Sequence, residues 1–131
     1  MKRRTFCTIL LAAPALTLHA GSATARGVRK RLKFARNASS TSVDGAVIRG
    51  ESDVYIIGAR KGQHMTVKVT SVEDNAVFQL MRSDDDSYLD GAGEIDDATT
   101  WEGDLPGTGD YEIVVGPSRG NATYSLFVSI H

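Results

Sequence analysis

Seven consecutive residues, His64-Met65-Thr66-Val67-Lys68-Val69-Thr70, alternate apolar and polar without a break. In an extended chain successive side chains point to opposite faces, so Met65, Val67 and Val69 share one face while His64, Thr66, Lys68 and Thr70 share the other. A helix would scatter the same three apolar residues around its circumference, whereas a half-buried strand delivers all of them to a core. The alternation recurs at Tyr111, Ile113 and Val115, and again at Tyr124, Leu126, Val128 and Ile130. Beyond the N-terminal segment no stretch sustains a helical period.

Further strands are expected at Leu32 to Arg36, Val43 to Arg49, Asp53 to Ala59, Ala76 to Arg82 and Thr99 to Leu105. Turn-forming residues separate them: Gly45, Gly50, Lys61-Gly62, Asp74-Asn75, Asp84-Asp85-Asp86 and Gly107-Thr108-Gly109. The run Ser83 to Asp97, dense in Asp and Gly, reads as a loop with a short strand inside it. The spacing predicts an all-β fold, a two-sheet antiparallel β-sandwich of about eight strands.

The N-terminus follows a different rule. Lys2, Arg3 and Arg4 precede an apolar run from Thr8 to Leu18, which ends in Ala23-Thr24-Ala25. That order of cationic, apolar and small residues is the signature of a secretory signal peptide, with cleavage expected after Ala25. The apolar run is shorter than the roughly 20 residues needed to span a bilayer, so no transmembrane anchor is expected. Arg3-Arg4-Thr5-Phe6 also has twin-arginine spacing, although general secretion is the preferred route. The expected product is periplasmic or secreted. Its organisation is residues 1–25 as signal peptide, 26–36 as a basic arm running into the first strand, and 37–131 as the sandwich. Cys7, the single cysteine, lies inside the signal, so disulfides and cysteine metal ligands are excluded from the product and its stability rests on packing.

The formal net charge of −1 conceals an asymmetry. Arg26, Arg29, Lys30, Arg31, Lys33 and Arg36 crowd the arm, while all sixteen acidic residues follow Asn37, against six basic ones. An acidic body attracts a basic protein partner and repels nucleic acid. The arm is cationic enough to touch anionic lipid or polymer, although a solvated terminus is the commoner reading.

Residue chemistry points away from catalysis. After removal of the signal His64 and His131 are the remaining histidines, each standing alone in the sequence, and no serine nucleophile sits in a glycine elbow. The carboxylates show no acid and base pair. Asp84, Asp86 and Asp90, with Asp85, Glu94, Asp96 and Asp97, offer hard oxygen ligands for calcium, but their spacing departs from the EF-hand loop. A solvated acidic loop is preferred, so no cofactor is expected and calcium stands as the alternative. Asn37-Ala38-Ser39 and Asn121-Ala122-Thr123 match the permissive glycosylation tripeptide. Trp101 falls mid-strand, a core position, although an exposed tryptophan on a sandwich also stacks on sugar rings.

Certain landmarks occur in a telling order: Asp44-Gly45, Asp53-Val54-Tyr55, Lys61-Gly62-Gln63, Gly103-Asp104-Leu105-Pro106, Gly109-Asp110-Tyr111-Glu112-Ile113 and Tyr124-Ser125-Leu126. Over nearly all of the chain after the signal this order resembles bacterial periplasmic inhibitors of g-type lysozyme and the related pre-peptidase C-terminal domains. The free-standing exported format favours the inhibitors over the pre-peptidase domain, which is usually appended to a larger enzyme.

In the inhibitors, an arginine-rich loop just before the last strand enters the lysozyme cleft. The matching stretch here is Gly116-Pro117-Ser118-Arg119-Gly120-Asn121, shorter and with one arginine. The resemblance therefore implies a lysozyme partner and a partner-binding set of Ser118, Arg119, Gly120, Asn121 and Tyr124. Arg119 would donate a forked pair of hydrogen bonds to carboxylates in the cleft, with Ser118 and Asn121 adding neutral ones. Tyr124 shares the parity of Leu126, which places its ring in the core, yet its place at the start of the strand leaves its hydroxyl near the loop. The alternative is an accessory binding module for polysaccharide or protein, calcium-stabilised through Asp84 to Asp97. A secreted hydrolase comes third.

Overall fold

The alternating segments become the strands of two four-stranded sheets. The computed structural model describes residues 27–131; the signal segment, its cleavage point and Cys7 lie outside them. The strands are β1 (Arg29–Arg31), β2 (Ser40–Val47), β3 (Asp53–Ala59), β4 (His64–Ser71), β5 (Ala76–Arg82), β6 (Thr100–Asp104), β7 (Gly109–Pro117) and β8 (Ala122–Ile130). One sheet has the order β1-β3-β7-β5 and the other β2-β8-β4-β6. Every pairing is antiparallel except β1 with β3, which is parallel. Among the described residues no helix is long and apolar enough to cross a membrane.

Period-two alternation decides what is buried. Met65, Val67 and Val69 on β4 and Leu126, Val128 and Ile130 on β8 face inward from one sheet; Tyr55, Ile57, Phe78, Leu80, Tyr111, Ile113 and Val115 face inward from the other. The two inner faces interdigitate into one core, as sheet-on-sheet packing requires. The expected strands thus form, with β2 spanning Ser40–Val47 rather than Val43 to Arg49 and with three further local differences.

The first strand is Arg29–Arg31 rather than Leu32 to Arg36. Two of its arginines reach past β3 to carboxylates on β7: Arg29 to Glu112 at 3.2 Å, and Arg31 to Asp110 through a fork of 2.7 and 3.1 Å. These hydrogen bonds lower the Asp110 pKa and raise that of Arg31. Leu32 donates to the Ile56 carbonyl and buries its side chain, after which the chain leaves the ladder. Gly45 lies within β2, opposite Tyr124, rather than in a turn. A β-carbon there would stand 2.5 Å from the Tyr124 hydroxyl, so the missing side chain makes room for the ring. The acidic segment after β5 folds back along that strand, with Leu80 donating to Ala92 and accepting from Leu89, and buries Leu89 and Ala92. It forms isolated bridges, Met81 to Tyr88 and Phe78 to Ala98, in place of an inner strand. The β5 edge is thereby covered.

The register sorts the connections to two ends of the sandwich. Residues 48–52, 72–75 and 118–121 cluster at one end, because Val47 pairs with Ala122, Ser71 with Tyr124, Asp53 with Val115 and Ala76 with Pro117. Residues 60–63 and 105–108 meet at the other end, where the Tyr111 hydroxyl donates to the Gly107 carbonyl and accepts from the Gly107 N–H.

Candidate functional site

The loop between β7 and β8 brings Ser118, Arg119, Gly120 and Asn121 together at the first of these ends. Gly120 turns the chain with φ of 60°, a left-handed conformation that costs glycine little. Ser118 and Arg119 are exposed at the tip.

A residue of the neighbouring β4–β5 turn gives the loop its shape. Asn75 is only 3% exposed, and its side-chain amide donates to the carbonyls of Arg119 (3.0 Å) and Asn121 (2.9 Å). Its own carbonyl accepts from Ser118 N–H at 2.8 Å, and its N–H donates to Ser71 Oγ at 2.9 Å. A buried asparagine that satisfies the backbone of three loop residues is a clamp, since each of those polar groups would otherwise lose a partner. Asn121 ties in the third connection, its Oδ1 accepting from Arg49 N–H at 2.9 Å.

Arg119 lies over the β4–β5 turn, where Nη2 donates to the Glu73 carbonyl at 2.7 Å. Among the described residues it has no carboxylate partner. A guanidinium carries five N–H donors, so this single bond positions the group and leaves a fork free for an incoming acceptor. Two exposed aliphatic residues lie at the same end of the sandwich: Val72 at 90% exposure and Ile48 at 51%. With Glu73, Asn75 and Asn121 they line a cleft of about 230 Å³ beside the loop. A second groove of about 390 Å³, lined by Glu51, Gln79, Asp97, Gly116, Pro117 and Ser118, runs along the loop's other side.

Tyr124 stands apart from this group. It is 4% exposed and donates its hydroxyl proton to Asp53, which is itself 1% exposed. A hydroxyl has one proton to give, so in the 2.6 Å contact between Tyr124 and Tyr55 the donor is Tyr55. The other Asp53 oxygen accepts from Val28 N–H at 2.8 Å, which docks the basic arm. Burial, followed by the Asp53 and Tyr55 contacts, pushes the Tyr124 pKa well above the usual phenol range, and burial also raises that of Tyr55. Tyr124 therefore ties the two sheets to the arm beneath the loop.

The acidic segment is organised by its own backbone and side chains. Asp84 pairs with Arg82 at 3.0 Å, and Asp85 caps Ser87 through both N–H and hydroxyl. Asp86 takes a left-handed turn position, and the Asp90 carbonyl accepts the Trp101 indole N–H at 2.9 Å. Among the described residues no group of three or more His, Cys, Asp or Glu side chains converges as a metal site.

His64 and His131, isolated in the sequence, are neighbours in space. Their ring centroids lie 5.9 Å apart, and their main chains exchange hydrogen bonds. His64 also bridges Asp104 through Nδ1 (2.9 Å) and Glu102 through Nε2 (2.8 Å), and these contacts raise its pKa above 6.5. The β4–β6 register, with His64 opposite Asp104, creates the cluster.

Two kinds of functional detail escaped the sequence. Asn75 was legible only as a turn former, because nothing local records its burial, and the Asp53–Tyr124 contact joins residues seventy-one positions apart.

No protein-family model matches the chain, and no curated protein matches it in sequence. Solved structures do. A periplasmic inhibitor of g-type lysozyme from Aeromonas hydrophila is 29% identical, with a TM-score of 0.70 over 81% of this chain and 98% of its own. The corresponding inhibitor from Salmonella Typhimurium is 24% identical (TM-score 0.64, covering 80% and 99%), and the pre-peptidase C-terminal domain of a Bacillus anthracis collagenase is 20% identical (0.57, covering 82% and 98%). The last two likenesses concern the fold alone. The structural neighbours are thus those that the landmark residues resemble. The inhibitors among them are not enzymes, which supports a non-catalytic role, and their periplasmic location supports a periplasmic or secreted one here.

Proposed function

We propose that this protein inhibits lysozyme, the g-type in particular, by inserting the Ser118–Asn121 loop into the enzyme's cleft. The observation that carries the reading is Arg119: an exposed guanidinium without a carboxylate partner among the described residues, on a loop shaped in advance by the buried Asn75. Pre-shaping matters because ordering a mobile loop subtracts from binding free energy. The likeness to the Aeromonas hydrophila inhibitor supplies the class of partner.

A lysozyme cleft holds catalytic carboxylates in a partly enclosed groove. The free fork of Arg119 donates two parallel hydrogen bonds to such a carboxylate and occupies the space of a sugar. Ser118 contributes its hydroxyl, while Val72 and Ile48 supply apolar area on the flank. Asn121 acts from within the loop, holding Arg49 and accepting from Asn75. Tyr124 supports the loop base from the core. The acidic body favours encounter with a basic enzyme.

The test is a lysis assay titrated against g-type and c-type lysozymes, with the Arg119→Ala variant alongside. Removal of a central arginine anchor costs about 2 kcal/mol or more of binding free energy, roughly a thirtyfold loss of affinity. Selective g-type inhibition weakened to that extent supports the target and the loop together. A folded protein that inhibits neither enzyme would falsify the proposal and favour an accessory binding module.

A further inference from the structure

At the opposite end of the sandwich from the Arg119 loop, a cavity of about 400 Å³ opens between the edge strand β6 and the segment that folds back along β5. Its lining includes Trp101, Tyr88, Arg82, Asp90, Asp104 and Pro106. Neither the inhibitor loop nor the core accounts for this combination of two aromatic rings, a guanidinium and carboxylates.

We propose that this cavity binds a neutral pyranose unit of a glycan. The C–H face of a pyranose is apolar and stacks on an aromatic ring, while its hydroxyls need donors and acceptors around the rim. Trp101 and Tyr88 supply the aromatic surface, and Tyr88 is 41% exposed. Arg82 supplies donors; Asp90 and Asp104 supply acceptors. Few convergent polar groups around an apolar floor are the usual composition of a small-ligand site.

The walls are held in place before any ligand arrives. The Trp101 indole N–H is bonded to the Asp90 carbonyl, and its ring lies so close over Gly103 that a β-carbon there would be 3.0 Å from the six-membered ring. The Arg82 guanidinium lies against the Gly107 backbone, where a β-carbon would come within 2.4 Å of Nη2, and it pairs with Asp84. Asp104 is anchored by His64 at 2.9 Å. Such support fixes the rings and charged groups relative to one another.

Local charge selects among sugars. Asp90 and Asp104 line the cavity and Asp84 pairs with Arg82, so even with His64 charged beside Asp104 the carboxylates outnumber the cations; a uronic acid meets net repulsion and a neutral or N-acetylated unit does not.

Trp101 is the single tryptophan of the chain, so its fluorescence reports on this cavity directly. Protein produced by export of the full chain is titrated with tri-N-acetylchitotriose and, in parallel, with trigalacturonate, up to about 10 mM, a range suited to a small exposed site. NMR of the indole N–H serves as a second readout. The expected result is a saturable change with the neutral sugar, weakened at least about tenfold in Tyr88→Ala and in Arg82→Gln variants whose thermal melts show a folded domain. Absence of any saturable change at Trp101 overturns the proposal. So does neutral-sugar binding undiminished in both folded variants, or stronger binding of the acidic sugar. Lysozyme inhibition is measured on the same variants and is independent of the outcome, because the Arg119 loop lies at the other end.

Discussion

Replacing Asn75 with alanine removes two hydrogen bonds, to the Arg119 and Asn121 carbonyls, from a side chain that is 3% exposed. Each neutral hydrogen bond contributes about 1 kcal/mol net. Arg119 and Asn121 are themselves exposed, so water satisfies part of what their carbonyls lose, while the vacated space adds a small packing term. The loss comes to about 2–3 kcal/mol, a fall in Tm of roughly 8–15 °C for a domain of this size. Asn75→Asp is the sharper perturbation. It keeps the shape but turns a donor into an acceptor facing two carbonyl oxygens, so near neutral pH it destabilises more than alanine does. The repulsion raises the folded pKa of the introduced carboxyl above its unfolded value of about 3.9, so the deficit is smallest below that pH and grows as pH rises through the two values. Urea unfolding of the three proteins at pH 7 and pH 4, at constant m, measures all of this. An alanine cost under about 0.5 kcal/mol, or an aspartate variant as stable as the parent at pH 7, would refute the clamp.

Gly45→Ala places a methyl 2.5 Å from the Tyr124 hydroxyl, which Asp53 and Tyr55 hold in place, so the strain costs about 1–3 kcal/mol in unfolding equilibria; a neutral or stabilising alanine would contradict the packing. The Asp104 and Glu102 hydrogen bonds raise the His64 pKa, so the stability they contribute is complete below about pH 6.5 and is lost as pH climbs through the raised value. His64→Gln should therefore flatten the decline of Tm across that interval, and NMR titration of the parent ring should give a midpoint above 6.5. A parent midpoint at or below 6.5 would remove the basis for that pH dependence.

The sandwich was legible because the signal for it is local. Met65, Val67 and Val69 declare a buried face through spacing alone, and so do Leu126, Val128 and Ile130; no knowledge of the partner strand is needed to see that each set shares a side. The stretch Gly116 to Asn121 was singled out by the resemblance to the lysozyme inhibitors rather than by spacing; in the fold Gly116 and Pro117 extend β7 and Ser118 to Asn121 form the loop. Charge asymmetry marked the basic arm, although the strand it forms lies at Arg29–Arg31 rather than Leu32 to Arg36, because carboxylates on β7 anchor those arginines.

What tertiary structure alone decided are relations between residues distant in the chain. Register set Gly45 opposite Tyr124 and His64 opposite Asp104, turning a turn former into a packing site and a lone histidine into a cluster with His131. Burial made Asn75 the clamp of a loop more than forty positions later, and it made Asp53 the anchor of both Tyr124 and Val28. Period-two alternation says which face of a strand is inward, but not which strand lies opposite or in what register. Side-chain hydrogen bonds depend on that second fact, since a shift of one residue along a ladder moves every side chain to the other face.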